Sequence, residues 1–220
     1  MRKVVLSAFV SLDGVMQAPG GPDEDREGGF KYGGWQYPFA DKEMGEVIDA
    51  AFARSGGFLL GRRTYDIFAA YWPQVTDPAD PIAAGLNTLP KYVVSTTLGE
   101  PTWQSTTVIR GDVPRAIRAL KEEDGKDILI QGSTHLLQTL LAHDLVDEIT
   151  MAVSPVVLGQ GKRLFAEGVP ARTWRLTESR RTGSGTVFNT YELAGEVKVG
   201  EFGVDEQGVE TQTSAETPRS

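Results

Sequence analysis

Two stretches of this sequence run a short apolar strand straight into a helical pattern through a glycine. The first is Phe58-Leu59-Leu60-Gly61-Arg62-Arg63-Thr64-Tyr65, and the second is Ile128-Leu129-Ile130-Gln131-Gly132-Ser133-Thr134. Neither leaves room for a loop, so each helix must start where its strand ends, as in a sheet of parallel strands. At such a turn the first helical N–H groups face outward and the helix dipole favours an anion. Glycine lets a phosphate approach the backbone, Ser133 and Thr134 add hydroxyl donors, and Arg62 and Arg63 add charge with forked donors. In parallel sheets these turns lie at the carboxyl ends of the strands, where ligands collect. Two such turns suit two phosphates of one dinucleotide. Each turn alone reads equally well as an ordinary helix start, with Ser133 as a cap and the arginines solvated. Neither has the Gly-x-Gly-x-x-Gly or P-loop spacing.

The rest of the chain repeats the same alternation. Val4–Val10 reads as a buried strand and Ala18–Tyr37, rich in Gly, Pro and acids, as a long loop. Asp41–Ala53 places Met44, Val47, Ile48, Ala51 and Phe52 at helical spacing. Gly57–Leu60 is a strand and Arg62–Tyr71 a helix stopped by Trp72-Pro73. Lys91–Ser95 and Thr106–Ile109 are strands, and Asp112 caps a helix that has Pro114 in its first turn and runs to about Glu123. Asp127–Gln131 is a strand and Ser133–Ala142 a helix. Glu148–Val153 opens a strand-rich final third, in which Trp174–Arg181 and Thr186–Leu193 form a hairpin around Gly183-Ser184-Gly185.

Charge and cysteine content narrow the function. The net charge of −8 argues against a nucleic-acid partner, which needs a basic stripe. From Gly195 onward six acids stand against two bases, which is half of that charge, so residues 1–194 are only mildly acidic and compatible with a local anion site. The expected division is one domain over 1–194 and a flexible acidic tail over 195–220. There is no cysteine, which removes disulfides, thiolate zinc sites and cysteine nucleophiles and suits a reducing cytoplasm. The basic, apolar start of the chain ends at Ser11-Leu12-Asp13-Gly14 without a small-residue cleavage pattern, so a first strand is expected rather than a signal. No apolar run is long enough for a membrane span.

Five motifs occur in order: Ser11-Leu12-Asp13-Gly14, Leu60–Tyr65, Val94-Ser95-Thr96-Thr97, Gln131-Gly132-Ser133 and Ser154-Pro155-Val156-Val157-Leu158-Gly159. Together, over residues 2–194, they resemble the dihydrofolate-reductase superfamily, and most of all the C-terminal reductase domain of the bifunctional riboflavin-biosynthesis deaminase–reductase. The resemblance implies an α/β, dihydrofolate-reductase-like three-layer fold with a central, mostly parallel sheet flanked by helices, NADPH as cofactor, and subunits paired in a homodimer. It implies that Gly61, Arg62, Arg63 and Thr64 hold the pyrophosphate and the adenosine-side phosphate. Ser95 and Thr96 would lie near the 2′-phosphate, and Gln131, Gly132, Ser133 and Thr134 would cover the pyrophosphate from the other side. The backbone at Ala8 would meet the nicotinamide. A positive group beside hydroxyls is also what choosing NADPH over NADH requires.

For the substrate, two carboxylates are candidates. Asp13 stands where the first strand ends, and Asp41, in Pro38-Phe39-Ala40-Asp41, resembles the pterin-anchoring acid of dihydrofolate reductase. A carboxylate can orient a nitrogen heterocycle and raise its electrophilicity. Asp41 is equally a first-turn acid, and Asp13 a turn residue before Gly14. The implied substrate is a small pyrimidine- or pteridine-like heterocycle such as 5-amino-6-(5-phosphoribosylamino)uracil. Two departures weaken that particular pyrimidine: Gln131 stands where such domains carry glutamate, and Tyr71-Trp72-Pro73 replaces their Asp-x-Pro segment. The rival reading is a non-catalytic nucleotide sensor whose tail recruits a partner. His135 and His143, eight residues apart without carboxylate company, do not make a metal site. The four tryptophans are scattered, no Gly-x-Ser-x-Gly elbow occurs, and Lys162-Arg163 reads as a solvated loop.

Overall fold

A computed structural model describes residues 1–77, 79–205, 207 and 209–215. Its centre is an eight-stranded sheet. The strands are β1 (Val4–Ser11), β2 (Ser55–Gly61), β3 (Lys91–Val94), β4 (Thr106–Ile109), β5 (Asp127–Ile130), β6 (Glu148–Ser154), β7 (Thr173–Arg181) and β8 (Val187–Gly195), in the spatial order β4-β3-β2-β5-β1-β6-β8-β7. The pairings from β4 through to β6 are parallel, and β6–β8 and β8–β7 are antiparallel. Strands buried on both faces must be apolar throughout, and Val4, Val5, Leu6, Ile128, Leu129 and Ile130 are.

The strand period of two divides that core. Val4, Leu6, Ala8, Leu59, Ile128 and Ile130 pack on one face against Ile117 of α4 (Val113–Glu122) and Leu137 and Leu140 of α5 (Thr134–Ala142). Val5, Phe58, Leu60 and Leu129 pack on the other face against Phe52 of α1 (Lys42–Arg54), Tyr65 of α2 (Arg62–Tyr71) and Leu86 of α3 (Pro81–Thr88). The result is three layers, with helices on both sides of the sheet.

Two features differ from the sequence patterning. Helix α3 is not among the elements that the patterning predicts. It starts on an Asp-Pro pair, where the Asp80 carboxylate accepts from the N–H groups of Ile82 and Ala83 and Pro81 takes a first-turn position without a missing bond. In the tail, β9 (Val199–Val204) pairs antiparallel with β10 (Glu210–Ala215) as a separate two-stranded sheet, although composition pointed to no strand there. The tail residues Glu206 and Glu216, with the rest of 216–220, lie outside the described residues. No helix among the described residues is long and apolar enough to cross a membrane.

Candidate functional site

The two glycine turns meet because β2 and β5 are neighbours in register, Phe58 beside Leu129 and Leu59 beside Ile130. The Gly61 N–H donates to the Gly132 carbonyl at 3.3 Å. A Cβ on Gly61 would overlap the Ser133 hydroxyl and lie 2.9 Å from Ser133 Cβ, so glycine is required there by space alone. Gly132 has φ +119° and a Cβ on it would lie 2.9 Å from Thr64 Oγ1, so conformation and space both demand glycine. The Gly132–Ser133 peptide is cis.

The helix starts differ in a telling way. Asp41, Asp80 and Asp112 cap α1, α3 and α4 by accepting backbone N–H groups. Helix α2, entered from Gly61, and α5, entered from Ser133, have no side-chain cap. These two uncapped ends open on one cavity of about 860 Å³, whose lining includes Gly61, Arg62, Arg63, Thr64, Gln131, Gly132, Ser133 and Thr134. Their free N–H groups and positive dipole ends therefore converge on a common space. The cavity follows the carboxyl ends of β3, β2 and β5, with Val94, Gly61 and Gln131 in its lining, and meets the neighbouring β1 at Ala8 in mid-strand. Leu6 pairs with Ile130, so the same register continued puts Ala8 level with Gly132. Three strand spacings, roughly 14 Å, separate the ends of this line.

Ser95 and Thr96 lie beside the cavity rather than in its lining. The buried Ser95 hydroxyl accepts from the N–H groups of Thr97 and Leu98, and Thr96 is exposed. Arg62 joins this turn to the cavity: its guanidinium donates to both Asp66 carboxylate oxygens at 2.8 Å and to Thr97 Oγ1 at 3.4 Å.

Neither carboxylate singled out for chemistry reaches the cavity. Asp13 accepts from the Ser11 hydroxyl at 2.7 Å and from the N–H groups of Leu158 and Gly159, pinning the 155–159 segment to the end of β1. The Ser11 hydroxyl and the Leu158 N–H hold its pKa down at about 2. Asp41 accepts from the Met44 N–H at 2.8 Å, as the cap of α1, and from the Ser184 N–H at 2.8 Å, tying α1 to the β7–β8 turn. Those two N–H groups hold its pKa at about 2 as well. Both stay ionised acceptors at neutral pH, with their oxygens committed to backbone donors.

Asp66 of α2 lines the cavity, and the other lining carboxylates among the described residues, Glu24, Asp25 and Glu27, come from the long loop after β1. Val15, Ala18, Phe30 and Trp35 form a small core that folds the loop back over the strand ends. Gln17 donates to the carbonyls of Asp25 and Glu27 and accepts from the Lys162 N–H. Asp25 and Glu27 then form ion pairs with both Arg63 and Lys162, at 2.5 to 2.7 Å. Burial raises the Asp25 pKa, but the hydrogen bond from Lys162 and the nearby Arg63 outweigh it and the net shift is downward. Glu24 differs: one of its oxygens accepts from the N–H groups of Gly20 and Gly21, no cation among the described residues pairs with it, and burial pushes its carboxyl up. The signal for these residues was the loop itself, since a long loop without regular structure in a compact domain usually covers a site. Lys162, read as solvated, lines the cavity, as does His135, while His143 is outside it.

The sequence and the fold both have relatives among known proteins. YyaP of Bacillus subtilis (strain 168) is 28% identical over 196 residues, covering 88% of this chain and 96% of YyaP. A riboflavin-biosynthesis-type protein from Shewanella sp. PV-4 superimposes with a TM-score of 0.62 at 22% identity, covering 87% of this chain and 98% of that one. A pyrimidine reductase-like protein from Corynebacterium diphtheriae NCTC gives a TM-score of 0.60 at 12% identity, covering 89% and 93%. The model of the RibD C-terminal domain, a riboflavin-biosynthesis reductase domain of dihydrofolate-reductase-like fold, matches residues 2–188, and the chain belongs to that family.

Proposed function

We propose that this protein is an NADPH-dependent reductase acting on a small pyrimidine- or pteridine-like heterocycle. The observation that carries the reading is the pair of uncapped helix ends, α2 and α5, converging on one cavity beside Arg62 and Arg63. In this reading the pyrophosphate takes the N–H groups after Gly61 and Gly132, with the Ser133 and Thr134 hydroxyls as further donors. The Arg62 fork, standing between Asp66 and Thr97, meets the 2′-phosphate beside Ser95 and Thr96. The backbone of β1 at Ala8 supports the nicotinamide. When bound, NADPH supplies a hydride to the carbon of a C=N bond while a proton goes to the nitrogen, leaving NADP⁺ and the reduced heterocycle. The protein's part is to align the two ligands and keep water out, for which the loop pinned by Gln17, Asp25 and Glu27 is placed.

Titrating the purified protein with NADPH, and then following NADPH oxidation against a panel of pterins and pyrimidines, tests the reading. Tight binding with no turnover on any member would favour a sensor instead. Arg62→Ala is expected to weaken NADPH by at least about tenfold, or ~1.4 kcal/mol, and NADH far less. An equal loss for both would remove the 2′-phosphate assignment.

A further inference from the structure

Three cationic side chains line the cavity: Arg62, Arg63 and Lys162. Each is already held by a carboxylate of the same lining, Arg62 by Asp66, and Arg63 and Lys162 by Asp25 and Glu27. Glu24 adds a fourth carboxylate that pairs with no cation among the described residues. The side chains around the cavity therefore carry one more carboxylate than cation before any ligand arrives. The dinucleotide phosphates of the reading above would use the two helix ends and the arginines. A second ligand bearing a phosphate would then find no unpaired cation among the described lining residues and would sit beside existing negative charge. At short range in a partly enclosed site that repulsion is not screened away.

The remaining wall is of the opposite character. On the α1–α3 side of the sheet the cavity is lined by Ile48 and Phe52 of α1, Phe68 of α2, Trp72 just beyond it, and Ile82 and Leu86 of α3. Phe68 and Trp72 meet edge to face, with centroids 6.2 Å apart. Ile48, Phe68, Trp72 and Ile82 are only partly buried, so apolar area stands open to whatever fills the cavity. Covering such area stabilises a complex by about 25 cal/mol per Å², which a sugar phosphate does not exploit and a flat ring does.

From the charge count and this wall we infer that the acceptor is a flat, largely apolar heterocycle without a phosphate group, seated against the α1–α3 face. The inference rests on the dinucleotide reading and departs from a phosphoribosyl-bearing pyrimidine. Full-length protein saturated with NADP⁺, which prevents turnover, is titrated with two matched pairs: riboflavin and 5-amino-6-ribosylaminouracil, each with its own 5′-phosphate. The unphosphorylated member of a pair should bind at least about tenfold more tightly. Ile82→Ser should weaken that member by a similar factor and leave NADP⁺ affinity unchanged. Equal or tighter binding of the phosphates, or binding of neither pair to NADP⁺-loaded protein, overturns the inference and leaves the cofactor reading standing. Failure to bind NADP⁺ at all overturns the cofactor reading, and the inference falls with it.

Discussion

Gly61→Ala is expected to lose about 1–3 kcal/mol of folding stability and to weaken NADPH by roughly a hundredfold. The added methyl meets no empty space: it overlaps the Ser133 hydroxyl and lies 2.9 Å from Ser133 Cβ and 3.2 Å from Ser133 N. Ser133 is the entry residue of α5, so relieving the overlap shifts the whole first turn of that helix away from α2. The two sets of N–H groups then no longer converge. A hundredfold is about 2.7 kcal/mol, so losing one charge-assisted hydrogen bond, worth about 1.5–3 kcal/mol, accounts for the affinity change. The double variant Gly61→Ala with Ser133→Gly removes the obstructing side chain and should recover most of the stability. Urea unfolding and NADPH titration on the four proteins of this cycle measure the coupling. Wild-type behaviour of Gly61→Ala alone would remove close approach as the reason for this glycine.

The second large effect concerns Lys91, which is wholly buried in β3. Its ammonium donates to the carbonyls of Leu86 and Leu89 at the end of α3 and lies 4.5 Å from the centroid of the Trp103 ring. Burial pushes its pKa from 10.5 down to about 8. Between those values the unfolded chain binds the proton and the folded one does not, so folding stability rises with pH across that window. It is lowest below pH 8, where the buried group must be charged. The full difference is at most about 3 kcal/mol, and the two helix-end carbonyls and the Trp103 face reduce it. Lys91→Met keeps the volume and removes the charge, and such replacements are often neutral or stabilising. Urea midpoints measured for both proteins on either side of this window should show the wild type gaining on the variant as pH rises. A constant difference between the two would show that Lys91 does not titrate there.

The fold was legible wherever a local rule has one outcome. Strand, glycine and helix in direct succession at Gly61 and Gly132 admit only parallel neighbours with both helices starting at one edge, and the sheet has that form. Helix α3 escaped because Pro81–Thr88 carries little polar contrast and its signal is confined to the Asp80-Pro81 start. The carboxylates show the limit at the site. An aspartate beside a turn or at a helix start looks the same in sequence whether it faces a ligand or a backbone N–H, and Asp13 and Asp41 face N–H groups from segments far along the chain. The long loop signalled a cover but not which of its acids would line the cavity, because Asp25 and Glu27 are placed by Gln17, itself held by the distant Lys162 N–H.

The four charges that Asp25, Glu27, Arg63 and Lys162 bring together join three segments remote in sequence. An anionic ligand arriving at this edge competes with Asp25 and Glu27 for Arg63 and Lys162, since both carboxylates take Nη1 of Arg63 and Nζ of Lys162. Added salt then has two opposed effects on the kinetics. It slows the encounter by screening the long-range attraction, and it hastens release of the internal pairs. The association rate of a dinucleotide should therefore pass through a maximum with ionic strength instead of falling steadily. Asp25→Asn with Glu27→Gln would turn that curve into a plain decline.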